Sequence, residues 1–525
     1  MSEKTAGAVR IAGWALVLGL LCDLLLRAAP WGINLPVSVL ALLLVSALLI
    51  RPQWRQFSPE LLFLAPAALF FAAGFAWRAS PTLLALDGAA LVLILAVAIL
   101  RSRRGRLAVA AVSEYPLMVL RALGQASIGA GELLFQDVEW QQLSRPEWGS
   151  HLGAAARGLV LAVPFLIVFA ALFASADPVF ASMATGLLRI DLGPALAHLG
   201  ITLAAAWGIA GLLHRMLAHA EEPEPASSPF PGVIGMVEIG VAVGLLNLLF
   251  LAFVLIQLGY LFGGDSLVQH TPNLTYADYA RRGFFEMVAA AALALPVLLL
   301  AHWALAKDPP SSERIFLVLA APLLLMLLVI LVSAGQRMRL YQAAYGFTEL
   351  RVYTSAFMLW LGIVIAWFGA TVLRGRRDNF APGAALAAFA VTAGLHLLNP
   401  DAWIVQRNLE HHTRTGRFDV EYAASLSADA YPTLAAALPG LPRTRAAALA
   451  SELLDREYYV SSGDWRSWSW SRAQAQQSLL AAHTFHRTLP APRTAATPAA
   501  QPPPAPKAAQ PTPKPAPKRA STSQR

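Results

Sequence analysis

Four carboxylates stand inside or at the edges of long apolar stretches: Asp23, Asp87, Glu238 and Glu286. Ionisable groups are costly in hydrocarbon, so such residues are the first place to look for a proton relay, ion coupling or a counter-charge for a solute. Their spacing argues for quieter roles. Asp23 precedes Arg27 by four residues and Glu286 follows Arg282 by four, the separation at which opposite charges meet on one helix face. Asp87 and Glu238 fall in early turns, where the helix dipole favours a carboxylate. No charge falls at the middle of an apolar stretch, which counts against an ion-coupled transporter. Asn247 is the deepest polar residue, suited either to bridging two helices or to touching a solute.

Other chemistry is sparse. The pairs His411 with His412 and His483 with His486 offer imidazoles for a metal, but no cysteine and few carboxylates accompany them, and they read as surface histidines. Cys22 is the single cysteine, which excludes an intramolecular disulfide. The phosphate loop, the zinc-protease helix, the nucleophile elbow and the glycine-rich dinucleotide turn are absent. The expectation is therefore no catalytic residue, no metal and no cofactor.

The elements around these residues are membrane helices. At 57% hydrophobic and 14% charged, with mean hydropathy +0.55, the chain is far more apolar than a soluble domain. Crossing roughly 30 Å of hydrocarbon takes about 20 apolar residues as helix, because only a helix or a closed barrel satisfies its own backbone there. The pattern predicts an all-α polytopic transmembrane helix bundle of about eleven spans. They fall near 11–26, 34–50, 60–77, 82–100, 153–174, 194–217, 233–262, 283–306, 315–334, 352–373 and 382–398.

Within the bundle, 1–398, an insert at about 107–150 mixes apolar and charged residues, as in helices lying on the membrane surface or packed against the spans. Residues 399–490 read as a small helical extramembrane module, with Asn399 as N-cap and Pro400 in the first turn of its first helix. Residues 491–525 are rich in proline, alanine and lysine and read as a disordered basic tail.

The formal charge of +9 does not imply nucleic acid, since the basic residues flank apolar spans and fill the tail. Lysine and arginine concentrate at alternate junctions, among them Lys4, Arg10, Arg51, Arg55, Arg215, Lys307, Arg314, Arg374 and Arg376. That bias puts the N-terminus in the cytoplasm. An odd number of spans then puts the module outside.

Two segments invite partners. Gly240 and Gly244 form a small-residue notch suited to helix packing or to a homo-oligomer. The run QRMRLYQAAYGFTELRVY, 336–353, is too polar for a mere connector. Its first reading is interfacial: Arg337, Arg339 and Arg351 on lipid phosphates, with Tyr341, Tyr345 and Tyr353 in the aromatic belt. The sharper reading is a docking site for the module or for an anionic ligand, with Glu349 orienting an arginine.

That run, with LHLLNPDAWIVQRNLEHH and DWRSWSWSRAQAQQSLL further on, resembles the bacterial multi-pass membrane family called domain of unknown function 4173, with the related family 4153 as a near alternative. The resemblance implies a bacterial inner-membrane protein with no assigned activity or cofactor. It marks Arg339, Tyr341, Tyr345, Gly346, Thr348, Glu349, Arg351, Asn399, Asp401 and Asn408 as positions matching the family's pattern. The leading expectation is a non-enzymatic anchor, sensor or scaffold in the envelope, in contact with the lipid bilayer and with an envelope protein partner of the module. Two alternatives stand beside it: a transporter or channel for an anionic or amphiphilic solute, and an enzyme acting on a lipid-linked substrate through Asp401, Glu349 or a histidine.

Overall fold

The structure is a computed structural model that describes residues 2–59, 61–100, 114–140, 169, 193–218, 235–270, 284–305, 310–460 and 463–488. The described residues form a helical bundle carrying a helical module at one end. The bundle helices are α1 (Glu3–Leu26), α2 (Asn34–Ile50), α3 (Leu61–Trp77), α4 (Pro81–Leu100), α5 (Glu114–Glu132), α6 (Gly193–Ala218), α7 (Met236–His270), α8 (Phe284–Ala304), α9 (Pro310–Tyr345), α10 (Glu349–Thr371) and α11 (Phe380–Leu398). Among the described residues, nine helices are long and apolar enough to cross a membrane, namely α1, α2, α4 and α6 to α11. α3 is apolar but shorter, at 17 residues. The chain is a multi-pass membrane protein. All of the expected span at 153–174 except residue 169, and the tail at 491–525, lie outside the described residues.

The described part of the insert, 114–140, contains α5, an amphipathic helix packed along α6 and α4, followed by a single π-helical turn at Leu133–Asp137. Small residues allow the closest approaches. A Cβ at Gly19 would lie 2.6 Å from the Thr202 carbonyl oxygen, and one at Gly129 would lie 2.9 Å from the Gly211 carbonyl oxygen. The notch expected at Gly240 and Gly244 behaves differently. A Cβ at Gly240 would meet only side-chain methyls, at 3.7 Å or more, and at Gly244 nothing described lies within 4 Å.

α9 carries the polar run that opens the question of function. At about 1.5 Å per residue, its 36 residues greatly exceed what a bilayer requires, so the expected span at 315–334 continues as helix through Tyr345. The polar run is therefore the last turns of α9, a short turn at 346–348, and the first turn of α10. Gly346, with φ 73°, takes the left-handed conformation that ends the helix.

α11 ends at Asn399, which has φ 53°, a conformation asparagine tolerates. The same side chain accepts from the Ala402 amide at 3.5 Å, with Pro400 in the first turn, so one residue closes a span and caps the module, as expected. The module comprises α12 (Pro400–Thr415), α13 (Val420–Ser425), α14 (Tyr431–Ala437), α15 (Arg443–Asp455), α16 (Glu457–Val460) and α17 (Trp470–Thr488). Its core is built from Ile404, Leu434, Leu449, Leu453 and Leu479 and includes Val352 from α10. Sharing a core residue with a span fixes the module on the bundle.

The two ends of α1 define the axis. Its start lies beside the π turn, where Lys4 reaches Asp137 at 2.9 Å and Thr5 Oγ1 donates to the Asp137 carbonyl at 3.3 Å. Its other end lies against the module, where Arg466 donates to the Leu24 carbonyl at 2.5 Å and the Ile33 amide donates to the Trp468 carbonyl at 2.9 Å. The N-terminus and the module occupy opposite ends of the bundle.

Candidate functional site

The loop between α3 and α4 meets the module through one carboxylate. Asp429, 4% exposed, accepts from the backbone amides of Ala79 at 2.7 Å and Ser80 at 3.0 Å. Its other oxygen faces Arg78 Nη1 at 3.6 Å and takes the Ser471 hydroxyl, which also lies 2.9 Å from the Trp77 carbonyl. Backbone amides at a chain reversal have no ladder partner of their own, and a carboxylate accepting from them makes a charge-assisted bond. Arg78 is held from the other side as well, donating Nε to the His396 carbonyl at 3.0 Å and lying over the Trp77 ring at 4.7 Å.

Beneath Arg78 lies a hydrogen-bonded pair inside the bundle. His396 Nε2 stands 2.7 Å from Asp87 Oδ1, and both side chains are fully buried. Trp77 stacks on the imidazole at 5.6 Å and Phe70 meets it edge-on at 5.7 Å. Gly74 leaves room for the pair, since a Cβ there would run into Asp87 Oδ2 and would come within 2.9 Å of His396 Cε1. Asp87 is thus a paired group rather than one stabilised by its helix turn alone.

Above Asp429 the network continues into the module. Ser427 Oγ lies 3.3 Å from Asp429 and donates to Asp401 Oδ2 at 2.5 Å, with the Ser427 amide adding a second bond at 3.2 Å. Asp401 is fully buried. Burial pushes its carboxyl up to about 7, the charges of Glu349 and Asp429 add to the shift, and the Ser427 bonds oppose it. On the same seam Tyr353 and Ser80 share a hydrogen bond at 3.0 Å, and the Glu349 amide donates to the Tyr422 hydroxyl at 2.8 Å. Burial pushes the Tyr422 phenol up to about 12.

The polar run packs on the module. Asn408 accepts from the Phe347 amide at 2.7 Å and donates to its carbonyl at 2.9 Å, while Phe347 meets Trp403 edge-on at 4.8 Å. Arg351 lies 4.0 Å over Tyr341 and donates to the carbonyls of Tyr345 and Gly346 at 3.1 and 2.5 Å, closing the end of α9. The expectation that Glu349 orients an arginine does not hold. Arg351 is committed to those carbonyl oxygens, and Glu349 sits in the first turn of α10, where the helix dipole suits it. Tyr341 and Tyr345 contact each other at 5.4 Å. Arg337 is buried, 9% exposed, whereas Arg339 is exposed and faces a groove shared with α12.

The remaining expectations fall elsewhere. Asp23 meets Arg27 at 3.8 Å, as its spacing implies, and also His198 at 2.5 Å. Asn247 bridges helices, donating to the Leu319 carbonyl at 2.8 Å and to Val243 in its own helix at 2.9 Å. His412 lies against Arg445 at 3.1 Å and His483 against Glu457 at 2.9 Å. Arg282, the expected partner of Glu286, lies outside the described residues.

Asp429, Ser427, Ser471 and His396 are not among the residues that the sequence singles out. The histidines within spans were the available signal, because an imidazole there is as much a candidate as a carboxylate.

As chemistry, the seam is a clasp. Asp401, Asp429 and Ser471 are at most 4% exposed, and a substrate reaching Asp429 would have to displace the amides of Ala79 and Ser80. The family model described as domain of unknown function (DUF4153) matches residues 64–437, which takes in both halves of this clasp except for Ser471. No curated protein and no solved structure matches the chain.

Proposed function

The chain belongs to the family described as a domain of unknown function, DUF4153, and we propose that it is a non-enzymatic anchor and sensor of the bacterial inner membrane. On this reading the bundle holds the module at the periplasmic surface, where it engages an envelope protein. The observation that carries the reading is the Asp429 clasp. A tethered domain needs only a linker, whereas here a buried carboxylate binds two backbone amides of a membrane loop, so that force or occupancy at the module is passed to the spans. The orientation is supported by charge: the arginine-rich junctions at 51–55 and 374–376 belong to the end opposite the module, and such junctions favour the cytoplasm.

Photocrosslinking in cells tests this role. A benzophenone amino acid at Gln476 or Gln477, both exposed, is expected to trap a discrete envelope protein, and Asp429→Ala is expected to abolish the adduct at unchanged expression. An adduct that persists in Asp429→Ala would mean that the clasp is irrelevant to partner binding. For the orientation, Gln476→Cys in a Cys22→Ser background should react with an impermeant maleimide in intact spheroplasts, and Gln56→Cys only after lysis.

A second reading, a transporter for an anionic or amphiphilic solute, draws on the Asp87 and His396 pair, since a buried titratable pair among spans is a common element of proton coupling. Solute uptake into proteoliposomes driven by a pH gradient, and lost in Asp87→Asn, would favour it over the sensor.

A further inference from the structure

We infer that the groove between the last turns of α9 and the outer face of α12 is a binding site for an anionic group carried on an apolar body, the chemistry shared by an anionic phospholipid headgroup and a free organic phosphate. This goes beyond the anchoring role and involves none of the clasp residues.

The groove encloses about 330 Å³. Its apolar floor is Phe347 against Trp403. Three arginines line the groove beside that floor: Arg339 from α9, and Arg407 and Arg414 from α12. Glu410 is the single carboxylate lining the groove, and it is already engaged by Arg407 at 2.8 Å. Arg407 also lies 5.4 Å over the Trp403 ring. Arg414 has only a 3.4 Å contact to the Glu410 carbonyl, and no described side chain pairs with Arg339.

The charge count is therefore unbalanced in one direction. Burial, with the charges of Arg414 and Arg417, holds the His411 imidazole below its usual range, as expected beside an unneutralised positive field. Guanidinium groups match phosphate oxygens in pairs, and an aromatic floor beside them suits the apolar portion of the same molecule. The location fits the lipid source, because α9 is continuous from a membrane-spanning stretch into the groove wall. Of the three arginines in the polar run, only Arg339 takes part. Arg337 is buried, and Arg351 is committed to closing α9.

The test uses the full-length protein purified in dodecyl maltoside, with dioctanoyl phosphatidylglycerol, dioctanoyl phosphatidylcholine and inorganic phosphate as probes, read by native mass spectrometry and by the shift in melting temperature. Phosphatidylglycerol is expected to bind about tenfold tighter than phosphatidylcholine, and the double variant Arg339→Ala, Arg414→Ala to lose about tenfold or more. Arg487→Ala, a basic residue at the far end of α17, is expected to bind as wild type. Should the double variant fold poorly, the single variant Arg339→Gln, at an exposed position, is expected to weaken binding in the same direction. Competition by inorganic phosphate at concentrations near that of the lipid would identify a free phosphate as the natural occupant, and its failure to compete would identify the lipid. Equal binding of the two lipids, or unaltered phosphatidylglycerol binding in Arg339→Gln and the double variant, would overturn the assignment.

Discussion

His396 Nε2 and Asp87 Oδ1 lie 2.7 Å apart across 309 positions of sequence, with neither side chain exposed. The pair joins the start of α4 to the end of α11, and the carbonyl of the same histidine receives Arg78. Removing one partner of a buried hydrogen-bonded pair leaves the other unsatisfied, which costs about 1–3 kcal/mol. His396→Ala is therefore expected to lower the melting temperature in detergent sharply. Asp87→Asn, which keeps a hydrogen-bonding group beside the imidazole, should cost clearly less. Equal melting temperatures for wild type and His396→Ala would show that the pair does not hold these helices together.

Asp429 makes a separate prediction about the module. Asp429→Ala strips the partner from two backbone amides and from Arg78, and each buried donor left unsatisfied costs about 1–3 kcal/mol. The apolar core of the module, centred on Leu449 and Leu453, does not include this residue. Module helices should therefore stay folded while their seating loosens. Hydrogen exchange is expected to accelerate at the Ala79 and Ser80 amides with little change in α15. Uniform acceleration throughout the module would show instead that Asp429 supports its fold.

The membrane character was plain in the sequence because it is a property of composition and length, and hydrocarbon leaves the backbone few alternatives. The Asn399 and Pro400 junction was legible for a similar reason: capping chemistry is local. The clasp was not. Asp429, Ser427 and Ser471 sit in a module rich in ordinary polar residues, and their meeting with residues 77–80 depends on contacts nearly 350 or more positions apart, which no local pattern encodes. Gly32 shows the same limit. A Cβ there would collide with the Trp468 carbonyl, a constraint visible only once the module is seated. The Gly240 and Gly244 pattern, conspicuous in sequence, marks no close approach among the described helices.

Asp401 couples the seam to pH. Its carboxyl, pushed by burial up to about 7, compares with about 3.9 in an unfolded chain. The folded protein therefore binds the extra proton between those values, and its stability contribution is fully present below about 4 and is lost as pH rises through about 7. The loss is at most roughly 1.4 kcal/mol for each pH unit in that window. Asp401→Asn mimics the protonated group, so the melting temperature of the variant relative to wild type should rise from pH 5 to pH 8. A difference that stays constant over that range would mean Asp401 does not titrate there. Ser427→Ala removes the hydroxyl that opposes the shift and should move the transition to higher pH.

Gly346 and Asn408 allow a sharper test of how the polar run is seated. A Cβ at Gly346 would lie 2.6 Å from Asn408 Oδ1, and the backbone there has φ 73°. Gly346→Ala thus carries two costs: about 1–2 kcal/mol for a left-handed residue with a Cβ, and the displacement of the amide that holds both Phe347 backbone groups. Asn408→Ala removes the second cost in advance, at its own expense of about 1–3 kcal/mol for the orphaned Phe347 amide. In a double-mutant cycle the two changes should therefore be less destabilising together than the sum of the singles, by about 1 kcal/mol or more. Strict additivity would mean that the Gly346 turn can shift without disturbing Asn408, and that the side chain is not what fixes the end of α9 against the module.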